Sequence, residues 1–254
     1  MLIVRNPYFM KMKNLFIQMV AITMATTSFA QGENEDPSFA GSPDLMIEST
    51  SVTYDSELEQ LVFTITVKGE AGSSIPKAAG QMDGAPVLGY VFPTTLKSTD
   101  VGFNDTEGIV AMALTSHPDF DDTPLWDENN DRDYANDGVV WHAHWVVLTG
   151  NETIAGGLAV KQFNTDDESV VLPPTNPGMP MYMDSPGYSV VTKGNRIMVI
   201  IPKFRIRGKT DFRFDAVTAY MQVNTSRPDY PLLGVYRVYS IASGDLSLPF
   251  SVTH

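Results

Sequence analysis

A chain of 254 residues, 43% hydrophobic and 19% charged, suits one sandwich-sized domain with a full core, or at most two small ones. Seventeen Lys and Arg against 30 Asp and Glu give a formal charge of −13, a field that repels nucleic acid and anionic lipid and attracts cations. The absence of cysteine excludes disulfides, thiolate metal sites and cysteine nucleophiles.

Residues 1–30 read as a signal peptide. Arg5, Lys11 and Lys13 precede the apolar run Leu15 to Met24, and Ser28-Phe29-Ala30 supplies small residues for cleavage. The run is too short, and too interrupted by Thr and Gln, to span a bilayer, so no membrane span is expected in the mature chain. Export to the periplasm, the cell surface or the medium is expected. Cleavage removes three basic residues and no acidic one, taking the formal charge from −13 to −16.

Residues 31–43 (QGENEDPSFAGSP) form a polar, turn-rich lead-in, and residues 44–254 are expected to make a single domain. Leu45 to Tyr54 and Leu61 to Lys68 read as a strand pair. In the second, Leu61, Phe63, Ile65 and Val67 alternate with Thr64, Thr66 and Lys68, the period of a half-buried strand. Further β-rich runs are Val87–Phe92, Ile109–Thr115, Val139–Leu148, Leu158–Phe163, Arg196–Arg207, Phe212–Val223 and Leu233–Ile241, separated by Gly, Pro, Asn and Asp. No stretch holds a helical period with caps. The expected fold is all-β: a two-sheet antiparallel β-sandwich with a long acidic loop insertion. The hairpin PDLMIESTSVTYDSELEQLVFTITVKG and the closing runs GNRIMVIIPKF and DFRFDAVTAY resemble sandwich modules of secreted bacterial enzymes and surface proteins. That resemblance concerns fold and implies no activity.

Residues 119–137 carry eight carboxylates opposed by Arg132 alone, an arrangement that must be solvated or neutralised by a cation. Within it Asp127, Asn129, Asp131 and Asp133 recur at alternate positions, with Asp137 close behind. This spacing resembles the first half of EF-hand and dockerin-type calcium loops, which implies that these oxygens gather round one calcium ion. The pattern departs where Arg132 and Gly138 replace the family's glycine and bidentate glutamate, so a helix–loop–helix is not expected.

Three of the four histidines lie on or beside this loop. In Val139-Val140-Trp141-His142-Ala143-His144-Trp145-Val146-Val147-Leu148, strand alternation sends Val139, Trp141, Ala143, Trp145 and Val147 to one apolar face and both histidines to the other. Two imidazoles so spaced can converge on one transition-metal ion, and His117 supplies a third nitrogen if the two strands pair. Hydrogen bonding to nearby aspartates is the plainer alternative. Met179, Met181 and Met183 offer either soft ligands for Cu(I) or gap-filling side chains. Together with the histidines they favour copper, with zinc the alternative. Aromatic and histidine residues beside an acidic loop are similar to the copper-binding surface proteins of methane-oxidising bacteria. That likeness implies an exported sandwich with His-bound copper and a calcium site. The order Trp141-His142-Ala143-His144 does not follow that family's Trp-x-His, so no modified tryptophan is implied.

Lys203, Arg205, Arg207 and Lys209 alternate with Phe204 and Ile206 and are expected on one outer strand face. No Gly-x-Ser-x-Gly, phosphate loop or His-Glu-x-x-His occurs, and no general base stands out. The expected function is therefore metal binding, with calcium in the loop, copper at the histidines and a surface or periplasmic protein as a possible partner. The alternatives are a calcium-stabilised carbohydrate-binding or adhesive module, with Trp126, Tyr134 and Tyr182 as stacking platforms, and a metal-dependent enzyme with an open position at His117, His142 and His144.

Overall fold

The computed structural model describes residues 39–123, 127–128, 130–133 and 138–254. The expected signal peptide, the expected lead-in before Phe39, and Asn129, Asp137, Trp126 and Tyr134 lie outside the described residues. In chain order the strands are β1 (Ile47–Asp55), β2 (Gln60–Val67), β3 (Pro86–Pro93), β4 (Ile109–Ser116), β5 (His142–Gly150), β6 (Leu158–Val160), β7 (Met183–Asp184), β8 (Val190–Lys193), β9 (Arg196–Pro202), β10 (Arg213–Phe214), β11 (Val217–Val223), β12 (Leu233–Ile241) and β13 (Phe250–Ser251). Among the described residues there is no α-helix, only three short 3-10 turns, and none is long and apolar enough to cross a membrane.

Two larger sheets form, both antiparallel. The smaller runs β1-β2-β9-β8, and its inner residues follow the alternation visible in β2, where Leu61, Phe63, Ile65 and Val67 are buried and their neighbours half-buried. The larger runs β4-β3-β11-β12-β6-β5-β7, and β4 also pairs with β5. That extra ladder closes six strands into a barrel. The expected open two-sheet sandwich is therefore corrected: one layer is a curled sheet that pairs with itself, removing its edges.

Closure divides the apolar residues into two cores. On the barrel's outer wall Tyr90, Phe92, Met112, Leu114, Trp145 and Val147 pack with Phe63, Ile65, Val199 and Ile201 of the smaller sheet. The Phe63 ring meets Phe92 edge-on at 5.3 Å and Trp145 at 6.4 Å. Strand residues of the opposite parity turn into the bore: Val87 and Val91, Ala111 and Ala113, Val146 and Leu148, Ala219 and Met221. Six strands enclose little space, and side chains fill the bore, alanines beside larger Leu, Val and Met. Gly89 belongs to this set, because a Cβ there would stand 2.6 Å from the Met221 terminal methyl.

Two local expectations change. Val139 and Val140 are exposed and precede β5, so the apolar face begins at Trp141. The basic run does not continue a strand: β9 ends at Pro202, Lys203–Ile206 form a 3-10 turn, and Arg207 closes it in the left-handed region. Phe39, near the end of the expected lead-in, is buried in the core.

Candidate metal centre

The β4–β5 ladder builds the site. Its register sets Ala113 opposite His144 and Thr115 opposite His142, so both histidines of β5 point into the mouth of the barrel. His117 lies two residues beyond Thr115, on the same face. Pairing continues past the strand end, where His117 N–H donates to the Gly138 carbonyl at 2.7 Å and the Ser116 hydroxyl to the Val139 carbonyl. The third imidazole is thereby held beside the other two, with ring centroids 4.5 Å from His142 and 6.2 Å from His144. Phe120 stacks on the outer face of His117 at 4.1 Å.

A carboxylate completes the cluster. Asp122 folds back from the loop, and its Oδ1 stands 3.4 Å from His117 Nε2, 3.1 Å from His142 Nε2 and 3.4 Å from His144 Nε2. One ligand atom from each of the four residues lies within 4.8 Å of all the others, and all four residues are buried. This group can hold a metal ion. A tetrahedron with metal–ligand bonds of 2.0–2.1 Å has edges of about 3.3 Å, close to the Nε2–Oδ1 separations found here.

The outward nitrogens are fixed by the surrounding structure. His117 Nδ1 donates to the Phe120 carbonyl at 2.6 Å and His142 Nδ1 to the Val140 carbonyl at 2.7 Å. His144 Nδ1 is 2.9 Å from the Ser185 hydroxyl. A carbonyl only accepts, so His117 and His142 each carry a proton on Nδ1, and their Nε2 atoms face inward. This is how metal-ligating imidazoles are oriented by the groups behind them. His144 Nε2 is buried without a hydrogen bond, 3.4 Å from Asp122 Oδ1.

Electrostatics follow from burial and proximity. Burial drives the His144 imidazole down to about 3, the neighbouring rings adding to the fall and Asp122 opposing it. Burial also acts against the charged form of His142, but the hydrogen bond and charge of Asp122 outweigh it and leave that pKa raised. For Asp122 burial pushes upward, yet the histidines gathered round it hold the carboxyl well below the usual range.

The rest of the acidic loop is bound to backbone. Asp119 accepts from Ala79 and Gly80 N–H, Asp127 from Asp131 and Arg132 N–H at 3.1 and 3.0 Å, and Asp131 from Asp133 N–H at 2.7 Å. Glu128 accepts from Gly138, Val139 and Val140 N–H, clamping the chain that leads into β5. Among the described residues, Asp127, Asp131 and Asp133 belong neither to the histidine cluster nor to a second cluster of that kind. Gly138 adopts φ +100°, and a Cβ there would lie 2.2 Å from the His117 and Phe120 carbonyl oxygens. The departure from the EF-hand pattern thus has a local cause: only glycine lets the loop close over His117.

Of the residues expected from sequence, His117, His142 and His144 come together. Asp122 is the member of the cluster that alternation along the loop did not single out. Its signal was the short span from His117, which lets one turn carry both groups to the same point. Met181 and Met183 are buried among the apolar side chains of the barrel bore, with Met179 packed partly against them. Tyr182 is buried, with its ring edge-on to Phe103 and Phe163, and is not an exposed stacking platform.

Fold and site together define an all-β protein with a buried cluster of three histidines and one aspartate at the mouth of a closed barrel. No protein-family model, curated protein or solved structure matches the chain.

Proposed function

We propose that this is an exported metal-binding protein holding one divalent transition-metal ion between His117, Asp122, His142 and His144. The observation that carries this reading is the inward convergence of three Nε2 atoms on one carboxylate oxygen, with the Nδ1 atoms of His117 and His142 donating to carbonyls. Three imidazoles and a carboxylate suit zinc and Cu(II). With no sulfur in the cluster, and with Met181 and Met183 packed in the bore, Cu(I) is disfavoured. Four protein donors fill a tetrahedral shell, which favours binding over catalysis. Calcium in the acidic loop is a second part of the proposal, supported by the alternate spacing of Asp127, Asn129, Asp131 and Asp133, with Asp137 close behind. Export rests on the character of residues 1–30.

The test is metal content after equilibration with zinc or Cu(II) and desalting, with a His142→Ala/His144→Ala variant alongside. One equivalent per chain in the wild type and little in the variant supports the reading. Equal loading of both proteins contradicts it.

A further inference from the structure

A cavity of about 450 Å³ is lined by residues outside the histidine cluster. Its lining is two-sided. One wall is apolar, made by Val101, Leu172, Pro173 and Pro174; the other presents Asp184, Arg205, Tyr188 and Thr175. The apolar wall is set by a close approach: Gly102 has φ +101°, and a Cβ there would meet the Pro173 ring at 3.1 Å.

The polar wall places opposite charges in one cavity without joining them. Asp184 is 1% exposed, and one of its oxygens accepts from the Thr175 hydroxyl at 2.6 Å. Arg205 acts on Asp184 through its charge, yet among the described residues it forms no ion pair within 4.0 Å. Its guanidinium instead lies 5.5 Å from the centroid of the Tyr188 ring, whose hydroxyl accepts from Trp145 Nε1 at 3.4 Å. A buried carboxylate and a partly buried guanidinium that share a cavity but do not pair are complementary to a ligand carrying both charges.

We propose that this cavity binds a small zwitterion, an α-amino acid with an apolar side chain, with its ammonium on Asp184, its carboxylate on Arg205 and its side chain against Leu172, Pro173 and Pro174. The volume admits side chains up to aromatic size. Arg205 is suited to the carboxylate by its planar donor fork, and Thr175 holds the Asp184 carboxylate in place. The proposal uses no side chain of the histidine cluster, although the Asp184 backbone hydrogen-bonds to His144.

The test is isothermal calorimetry on the intact protein with leucine and phenylalanine, and with isoamylamine and isocaproate, which each lack one charge. At least one of the two amino acids binds, each single-charge analogue binds about tenfold more weakly or worse, and Arg205→Gln and Asp184→Asn each weaken amino-acid binding by a similar factor. Absence of binding by both amino acids at about 10 mM, analogues binding as well as leucine, or Arg205→Gln leaving affinity unchanged each overturns the proposal. Arg205 is partly exposed on a turn, so its variant and the analogue series decide the matter even if Asp184→Asn does not fold.

Discussion

The Nε2 atoms of His117 and His142 face each other across 2.8 Å while both Nδ1 atoms donate to backbone carbonyls. With both rings neutral, two lone pairs would meet at hydrogen-bond distance with no proton between them. A shared proton or a cation resolves the conflict, and Asp122 supplies the countercharge for either. The metal reading takes the cation, because His144 Nε2 and Asp122 Oδ1 converge on the same point.

Removing the carboxylate tests the fourth ligand. Asp122→Asn is expected to lower zinc affinity by at least about 100-fold, whereas Asp131→Ala leaves zinc binding unchanged, because Asp131 lies outside the histidine cluster. Competition with a chromogenic chelator reads both affinities.

The group behind a ligand matters as well. Ser185 positions the His144 ring through Nδ1. Ser185→Ala is expected to weaken metal binding by about 10–100-fold while leaving one ion per chain at saturating metal. An unchanged affinity would show that the His144 ring is held by packing alone.

Affinity should depend on pH in one direction. All three imidazoles must be neutral to present Nε2, and His142 keeps its proton to a higher pH than an ordinary imidazole because of Asp122. Metal binding therefore releases a proton and strengthens as pH rises through the range above about 6.5. Calorimetry in buffers of different ionisation enthalpy measures the released proton directly.

Gly138 gives a structural prediction. Gly138→Ala places a Cβ against two carbonyl oxygens and forces a left-handed residue to carry a side chain. A loss of about 1–3 kcal/mol in unfolding free energy is expected from the backbone conformation alone, together with weakened metal binding as His117 shifts. Urea denaturation with and without zinc separates the two effects.

Calcium is tested separately. If Asp127, Asp131 and Asp133 hold an ion, millimolar calcium raises the melting temperature of the wild type and not of Asp131→Ala. Equal curves for both proteins remove calcium from the account.

The strand alternation in Trp141–Leu148 was legible because a period of two is a local property. It placed Trp145 and Val147 in the core and both histidines on the opposite face. The role of His117 needed the β4–β5 pairing, which sequence left conditional and the register supplies. Asp122 was hidden because its position depends on how the loop folds back, and no periodicity encodes that. Glu128 was hidden for a related reason: a carboxylate gripping three backbone N–H groups looks, in sequence, like one more acidic residue. Barrel closure was equally illegible, since the residues of a bore and of a sandwich interior alternate alike. Only small residues such as Gly89, Ala111 and Ala113 hint at the narrower space.

The most direct test of the central claim is anomalous X-ray scattering from zinc-loaded crystals, measured above and below the zinc edge. The account predicts one peak about 2 Å from the Nε2 atoms of His117, His142 and His144 and from an Asp122 oxygen. Zinc scattering confined to the acidic loop, or no ordered zinc beside these four side chains, would contradict it.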